Sequence, residues 1–361
     1  MARIGDSLHA VIIAGGAGER FWPASRQAHP KPLLRFIDGR SLLEAVLSRS
    51  RRFADVERTW VVCNRKHAKA VRAETGLPAS RVLAEPMRRN TAMAVAYAAA
   101  RIRSHDPSAV MVTLPADHVI PDERAFGAAI RKAGRAARDS EVLVTLGVKP
   151  KCPATGLGYI QLGPAVGPKA PGLHRVRRFV EKPDTKTARR YLRSGNYLWN
   201  AGVFVWSVRA ILEEIEAFAP DIHRALSPLR NTGRRPTADA LLRIYRRVPS
   251  VSIDVAVLEN SRRVWTLPVG FHWNDVGTWA SLAEELGVQP GRSKTVMGEL
   301  VECESDANLV WSQGRTIALL GVEGLVVIDT PDAVLVARLD QSSGMRKVVA
   351  KLKASGRTDI T

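Results

Sequence analysis

The sequence predicts an α/β protein in which a mostly parallel sheet, covered by helices on both faces, is followed by a small β-rich unit. Three observations carry this. Short apolar runs alternate with helical stretches through the first half of the chain, the pattern that builds parallel sheets between helix layers. Past Gln289-Pro-Gly the runs become short, β-branched and punctuated by Gly and Asp, with little helix until Met345. Apolar residues make up 45% of the 361 residues, enough to bury a substantial core and to argue against global disorder.

Taken in order, strands are expected at residues 9–14, 59–63, 81–84, 109–114 and 141–148, with helices between them at 42–53, 65–74, 91–104 and 122–139. The first helix opens with Ser41-Leu-Leu-Glu44, a capping box that satisfies two orphan amides. The third is alanine-rich and hence strongly helix-forming. Further strands are expected at 158–162, 175–181 and 201–206, and helices at 185–193, 208–218 and 278–286. A Pro/Arg/Thr-rich surface loop is expected at 231–237, and the tail runs 319–329 and 333–337 read as β. The sheet is therefore Rossmann-like, and the expected domains are residues 1–289 and residues 290–361.

Composition narrows the function classes. No apolar run approaches bilayer-spanning length, and the N-terminus lacks a basic region and a cleavage site. A cytoplasmic protein with no membrane partner is expected. Cys63, Cys152 and Cys303 lie far apart, which argues against a disulfide framework and a thiolate zinc site. The eight histidines show no HExxH spacing. A hard cation held by carboxylates stays open, because Mg²⁺ needs few protein ligands. The net charge of +19 invites a nucleic-acid reading. Yet the basic residues are scattered, and their densest stretch, residues 224–247, holds a single aromatic, Tyr245. An arginine-rich solvated surface is the simpler reading, and no nucleic-acid partner is expected.

The chemistry begins at the end of the first strand, with Gly15-Gly16-Ala17-Gly18-Glu19-Arg20, then Phe21-Trp22-Pro23 and His29-Pro30-Lys31-Pro32. Glycines just past a strand let backbone amides approach a phosphate, although tight turns use glycine too. The loop is neither a Walker A nor a dinucleotide fingerprint. Arg20 and Lys31 are suited to neutralise a triphosphate and a departing pyrophosphate; otherwise they are two cations on a turn. Asp117 follows an apolar strand, where α/β sheets place ligands or where an Asp simply caps the next helix. Asp275 lies in Trp-Asn-Asp-Val-Gly, whose glycine permits a tight turn. Glu181-Lys182-Pro183 ends a strand, as a pair of ligand groups or as a salt-bridged strand end.

The string GGAGERFWPASR…HPKPLL resembles the signature of the sugar-1-phosphate nucleotidylyltransferases, in its mannose-1-phosphate guanylyltransferase form. Further matching segments follow in the family's order: LAEPMRRNTA (83–92), LPADHVI (114–120), TGLGYIQ (155–161), FVEKPD (179–184), YLWNAGVFVW (197–206), SIDVAVLE (252–259) and WNDVGTW (273–279). The resemblance implies transfer of GMP from GTP to mannose 1-phosphate with release of pyrophosphate. It implies that Gly15, Gly16 and Gly18 line the nucleotide and that Arg20 and Lys31 contact its phosphates. Asp117 and Asp275 would hold Mg²⁺, and Lys182 would contact the sugar phosphate. Glu181 and Asn200 would bind sugar hydroxyls, with Gly158 letting the backbone approach the sugar. The family places base and ribose at Glu85-Pro-Met-Arg-Arg-Asn-Thr. A carboxylate there can accept from guanine N1–H and N2–H together, and adenine offers neither donor, so Glu85 is the candidate reader of the base. Asn90 and Thr91 are expected near base or ribose.

The match has departures. Leu157 stands where an aromatic is common in the family, which bears on a wall of the sugar pocket, and Phe21 and Ala24 replace commoner leucines. The tail resembles the short β-helix-like domain of single-function members, which often mediates dimer contacts, so a homodimer stays open. Longer relatives add an isomerase domain; the chain ends too soon for one, and no isomerase activity is expected. Another sugar 1-phosphate (glucose or heptose), another nucleotide, or a catalytically silent regulatory homologue are the rival readings. The joint presence of Arg20, Lys31, Asp117, Lys182 and Asp275 argues against the silent homologue.

Overall fold

The structure, a computed structural model, describes residues 7–16, 18–229 and 236–361. The chain opens with β1 (Leu8–Ala14), then the short pair β2 (Arg35–Ile37) and β3 (Arg40–Ser41), and α1 (Leu42–Ser50). Strands and helices then alternate as β4 (Thr59–Asn64), α2 (Ala68–Thr75), β5 (Val82–Glu85), α3 (Asn90–Arg103), β6 (Val110–Pro115), α4 (Glu123–Ser140) and β7 (Leu143–Val148). A hairpin of β8 (Tyr159–Ala165) and β9 (His174–Val180) leads to α5 (Thr185–Ser194), β10 (Tyr197–Ser207), α6 (Val208–Phe218), α7 (Pro220–Ala225) and α8 (Ala238–Arg247). Next come β11 (Val264–Val269), α9 (Trp279–Glu285), β12 (Lys294–Cys303), β13 (Leu309–Leu320), β14 (Leu325–Asp329), β15 (Val334–Arg338) and α10 (Met345–Ala354).

These elements form two compact units, neither of them a single stretch. One comprises Met1–Gly15, Val46–Ala116 and Ile120–Trp273; the other comprises Gly16–Ala45, Asp117–Val119 and Asn274–Thr361.

The first unit holds a nine-stranded sheet of order β5-β4-β1-β6-β10-β7-β11-β9-β8. The stretch β5-β4-β1-β6 is parallel, as the alternation predicts, because each connection there carries a crossover helix or long loop. The sheet becomes mixed where β10 enters, since β10 pairs with β8 at one end and runs antiparallel to both β6 and β7. On one face, α3 and α6 pack over Val11, Trp60, Met111 and Trp206 in a single apolar cluster. Helix α3 is buried without a break from Ala92 to Ile102, six of these residues being alanine. The other face carries α4, whose Phe126, Ile130, Ala133 and Ala137 are buried outside that cluster.

Five expected strands agree with β1, β4, β5, β6 and β7 to within two residues. Strand β10 starts earlier than residue 201, because its Tyr197–Trp199 end pairs with β8. Of the loop expected at 231–237, residues 231–235 lie outside the described residues, and Thr237 caps α8 by accepting from Ala240 N–H at 3.2 Å. Helix α8 itself was hidden by its arginines; its apolar face is Leu241, Ile244 and Tyr245. The run 319–329 is two strands, parted by a turn with Gly321 and Gly324 at φ +64°.

In the second unit, β12, β13 and β14 run parallel, joined by short turns in the manner of a β-helix coil, and β15 closes the sheet antiparallel. Its core joins Trp311, Ile328 and Met345 from the tail to Phe21, Trp22, Phe36 and Trp279. Each such side chain contributes about 1.5–3 kcal/mol by leaving water. Trp279 Nε1 donates to the Trp22 carbonyl at 3.2 Å, and Trp22 Nε1 to the Ile360 carbonyl at 2.8 Å. The segment after the glycine turn is thereby anchored among residues more than 250 positions away.

Candidate active site

In the second unit, Asp117 and Asp275 are brought together by a two-way backbone bridge. Val119 N–H donates to the Asn274 carbonyl at 2.8 Å, and Asn274 N–H to the Val119 carbonyl at 3.1 Å. Lys31 lies between the two segments. Its ammonium donates to Asp117 Oδ2 at 2.7 Å and to the Val276 carbonyl at 2.6 Å, with the Asp275 carbonyl at 3.5 Å. That arrangement needs Val276 at φ +42°, a strained conformation for a β-branched residue of the kind found at functional sites. Asn274 supports it, Oδ1 accepting from Val276 N–H at 2.8 Å. At Gly277 an added Cβ would lie 2.8 Å from Asp275 Oδ2 and 3.2 Å from an Arg20 guanidinium nitrogen, so a side chain there would crowd both Asp275 and Arg20.

Enclosure by protein works to raise the Asp117 pKa, but Lys31, His118 and Arg20 outweigh it and hold the carboxyl below its usual range. The side chain still keeps 34% of its surface open. Arg20 makes no hydrogen bond or ion pair among the described residues, which leaves its charge available. No cluster of three or more His, Cys, Asp or Glu stands ready for a metal among the described residues. Two carboxylates with room for phosphate oxygens nonetheless fit the way Mg²⁺ is held.

Gly158, Glu181 and Asn200 converge in the first unit. A Cβ on Gly158 would stand 2.6 Å from Glu181 Oε2 and 3.3 Å from Asn200 Cβ, so the absence of a side chain keeps a hollow between them. Strand β10 shifts register between Asn200 and Phe204, with Gly202 at φ +66°, and such a bulge re-aims a side chain. The Asn200 amide is fixed on both sides. Oδ1 accepts from Thr145 Oγ1 at 2.9 Å and Gly202 N–H at 3.1 Å, while Nδ2 donates to Asp254 Oδ1 at 3.0 Å. One amide hydrogen remains for a ligand. Lys182, at φ +47°, pairs with Glu181 and is otherwise exposed.

The base candidates lie in the same unit. Glu85 ends β5 and is buried, with Oε1 accepting from the Tyr245 hydroxyl at 3.0 Å. Burial, only partly offset by that bond, pushes its carboxyl up to about 7. Asn90 opens α3 at φ +61°, and its Oδ1 accepts from Thr91 N–H at 2.8 Å. Thr91 Oγ1 accepts from Ile253 N–H at 2.9 Å, so Thr91 also ties the base loop to the segment leading into Asp254. Of the turn glycines, Gly15 lies beside Glu85, Gly18 is left-handed at φ +66°, and Gly16 has open space where a side chain would be.

Thus each expected residue falls in one of these two groups: Gly16, Gly18, Arg20, Lys31, Asp117 and Asp275 in the second unit, and Gly15, Glu85, Asn90, Thr91, Gly158, Glu181, Lys182 and Asn200 in the first. Two residues were missed. Asp254 sits in a matching segment but carries no motif of its own. It opens a π-helical turn, Asp254–Leu258, an element enriched at functional sites. Enclosure first, and then the Glu181 carboxylate, push it up to about 7. Tyr245 was visible only as the lone aromatic of a basic stretch.

Comparison with known proteins identifies the family. The sequence profile of the Nucleotidyl transferase family matches residues 9–287, and that of the MannoseP isomerase/GMP-like beta-helix domain matches residues 298–352. The chain is 38% identical over 356 residues to the xanthan biosynthesis protein XanB of Xanthomonas campestris, covering 97% of this chain and 74% of that one. It is 37% identical to a mannose-1-phosphate guanylyltransferase of Escherichia coli, covering 98% of this chain and 75% of that one. A crystal structure from Thermus thermophilus, described as a mannose-1-phosphate geranyltransferase, superposes with a TM-score of 0.86 at 35% identity, over 96% of this chain and 99% of that one.

Proposed function

The chain belongs to the nucleotidyl transferase family and carries the β-helix domain of the mannose-phosphate isomerase/GMP-like type, and on that footing we propose that it transfers GMP from GTP to mannose 1-phosphate, giving GDP-mannose and pyrophosphate. The observation that carries the reading is the meeting of the Asp117 and Asp275 segments across the Val119–Asn274 bridge, with Lys31 bonded to both segments and Arg20 beside Asp275 at Gly277. Cations beside carboxylates support a reading of polyphosphate chemistry.

A phosphate oxygen of mannose 1-phosphate attacks the α-phosphorus of GTP in line. The new P–O bond forms as the bond to the bridging oxygen breaks, and pyrophosphate leaves with that electron pair. The attacking phosphate is already anionic near neutral pH, so no general base is needed. Catalysis then rests on positioning and charge neutralisation. Arg20 neutralises the growing charge on pyrophosphate. Lys31, already bound to Asp117 and the Val276 carbonyl, fixes the carboxylate and adds its charge to the phosphates. A Mg²⁺ ion held by Asp117, Asp275 and substrate oxygens would supply further positive charge there.

Base and sugar recognition fall to the first unit. Glu85 accepts from guanine N1–H and N2–H, with Gly15 beside it and Asn90 and Thr91 shaping the loop for base and ribose; Gly16 and Gly18 free backbone for the phosphates. Glu181 accepts from a sugar hydroxyl, the remaining Asn200 amide hydrogen donates to one, Gly158 leaves the room, and Lys182 meets the sugar phosphate. The functional division is placed at residues 1–289 and 290–361, a reading supported by the two profile matches on either side of that boundary. A homodimer, a cytoplasmic setting and the lack of a nucleic-acid or membrane partner complete the proposal; among the described residues no helix is long and apolar enough to cross a membrane. Mass-spectrometric identification of GDP-mannose from GTP and mannose 1-phosphate tests the reading, and a Mg²⁺-dependent product of another mass would replace it.

A further inference from the structure

Tyr245 lies in a stretch whose arginines mark it as surface, yet its ring is completely buried. It meets Tyr97 edge-on, with ring centres 6.4 Å apart and planes at 88°. Two bonds join this one residue to the base loop. Its hydroxyl donates to Glu85 Oε1 at 3.0 Å, and its backbone carbonyl accepts from Arg89 Nε at 2.7 Å. Helix α8 therefore holds the loop at two points, four residues apart in the Glu85–Thr91 string.

The carboxylate itself is divided by this contact. Oε1 is engaged by the phenol, whereas Oε2 faces Gly15, where an ideal Cβ would lie 3.6 Å away. Any side chain at position 15 would cover that oxygen. A phenol can be placed this accurately because a packed ring has two torsions to fix and its oxygen stands at the end of a rigid plate.

We propose that Tyr245 is a positioning residue for base selection, holding Glu85 through Oε1 so that the carboxylate is ionised and aimed when guanine arrives. This rests on the reading of Glu85 as the guanine acceptor. The phenol supplies the side-chain hydrogen bond that holds the buried Glu85 carboxylate. Cys63, on the neighbouring strand β4, is pushed up to about 12 by burial and by the Glu85 charge, so it stays a neutral thiol. Tyr97, from α3, faces the Tyr245 ring, and the Arg89 guanidinium is bonded to the Tyr245 carbonyl. Burial raises the Glu85 carboxyl, and the phenol bond is the contact that lowers it. Removing that bond disfavours the carboxylate further.

The test measures kcat/KM for GTP against pH in the full-length enzyme, its Tyr245→Phe variant, and a variant carrying 3-fluorotyrosine at 245. Fluorination makes the phenol a stronger donor at almost unchanged volume. The Phe variant should lose about tenfold in kcat/KM for GTP near neutral pH, with the profile midpoint raised by about one unit, the worth of a hydrogen bond to a charged group. The fluorotyrosine variant should move the midpoint down. The KM for mannose 1-phosphate should not change in either. Opposite displacements are something a packing role would not produce, and coincident midpoints overturn the proposal. Should the Phe variant fail to fold, the fluorotyrosine variant decides alone. Glu85→Gln separates the two levels. If it keeps full preference for GTP, the Glu85 reading falls; if it loses that preference while the Tyr245 variants leave the profile unmoved, only the role of Tyr245 falls.

Discussion

The Lys31 ammonium and the Asp117 carboxylate are joined by a 2.7 Å bond, and the same ammonium reaches the strained Val276 carbonyl beside Asp275. One cation thus ties the Asp117 carboxylate to the backbone that carries Asp275, the other carboxylate proposed to hold the metal. Asp117→Asn removes a charge without changing shape. It should cost at least about 100-fold in Mg²⁺-dependent pyrophosphate release, several kcal/mol of transition-state stabilisation, with an unaltered circular dichroism spectrum. Near-normal turnover would remove Asp117 from the metal site.

Glu85 gives two pH dependences of opposite sense. Its folded-state value of about 7 lies above its ordinary 4.5, so the folded protein binds this proton more tightly than the unfolded chain. The resulting stability is fully present below the unfolded value and is lost as pH rises through 7. Glu85→Gln should therefore be more stable than the parent at alkaline pH, by up to roughly 3 kcal/mol, with the gap closing in acid. For GTP the carboxylate is the binding form, so KM for GTP should climb as pH falls below 7. The Gln variant should show no such climb; urea titrations and initial rates across the range read both.

Gly158→Ala adds a methyl 2.6 Å from Glu181 Oε2, too close to be accommodated without displacing the carboxylate. KM for mannose 1-phosphate should rise by about tenfold, the loss of one hydrogen bond to a charged group, while KM for GTP holds. Equal changes in both constants would argue that the hollow does not belong to the sugar.

The capping box offers a test independent of catalysis. Ser41 N–H donates to Glu44 Oε2 at 2.7 Å, and Glu44 N–H donates to Ser41 Oγ at 3.0 Å. Ser41→Ala should lower stability by about 1 kcal/mol, measured as a lower urea midpoint at unchanged slope. No change would mean that Glu44 and its Arg35 partner hold the turn without the hydroxyl.

Local patterns were legible in the sequence wherever neighbours along the chain decide the structure. The Ser41–Glu44 cap and strands β1 and β4 to β7 follow from spacing alone. The glycines at 15, 158 and 277 have meaning only through what stands opposite them, namely Glu85, Glu181 and Asp275 with Arg20. Long-range partnerships were not legible. Nothing in the arginine-rich 224–247 stretch reveals that Tyr245 bonds a carboxylate 160 positions earlier. Nor does a residue string show that β10 runs against β6 and β7, or that the segment after the glycine turn shares a core with the tail. The candidate residues are legible through family resemblance; the bonds that fix Asn200, Thr91 and Lys31 join segments far apart in the chain and are visible only in the fold.

The most direct test is pyrophosphate release by the wild-type enzyme with Mg²⁺, crossing GTP, ATP, UTP and dTTP against mannose 1-phosphate and glucose 1-phosphate. A strong signal confined to GTP with mannose 1-phosphate is the predicted result. Comparable release from ATP or UTP would contradict the guanine reading of Glu85, and a preference for glucose 1-phosphate would contradict the sugar assignment.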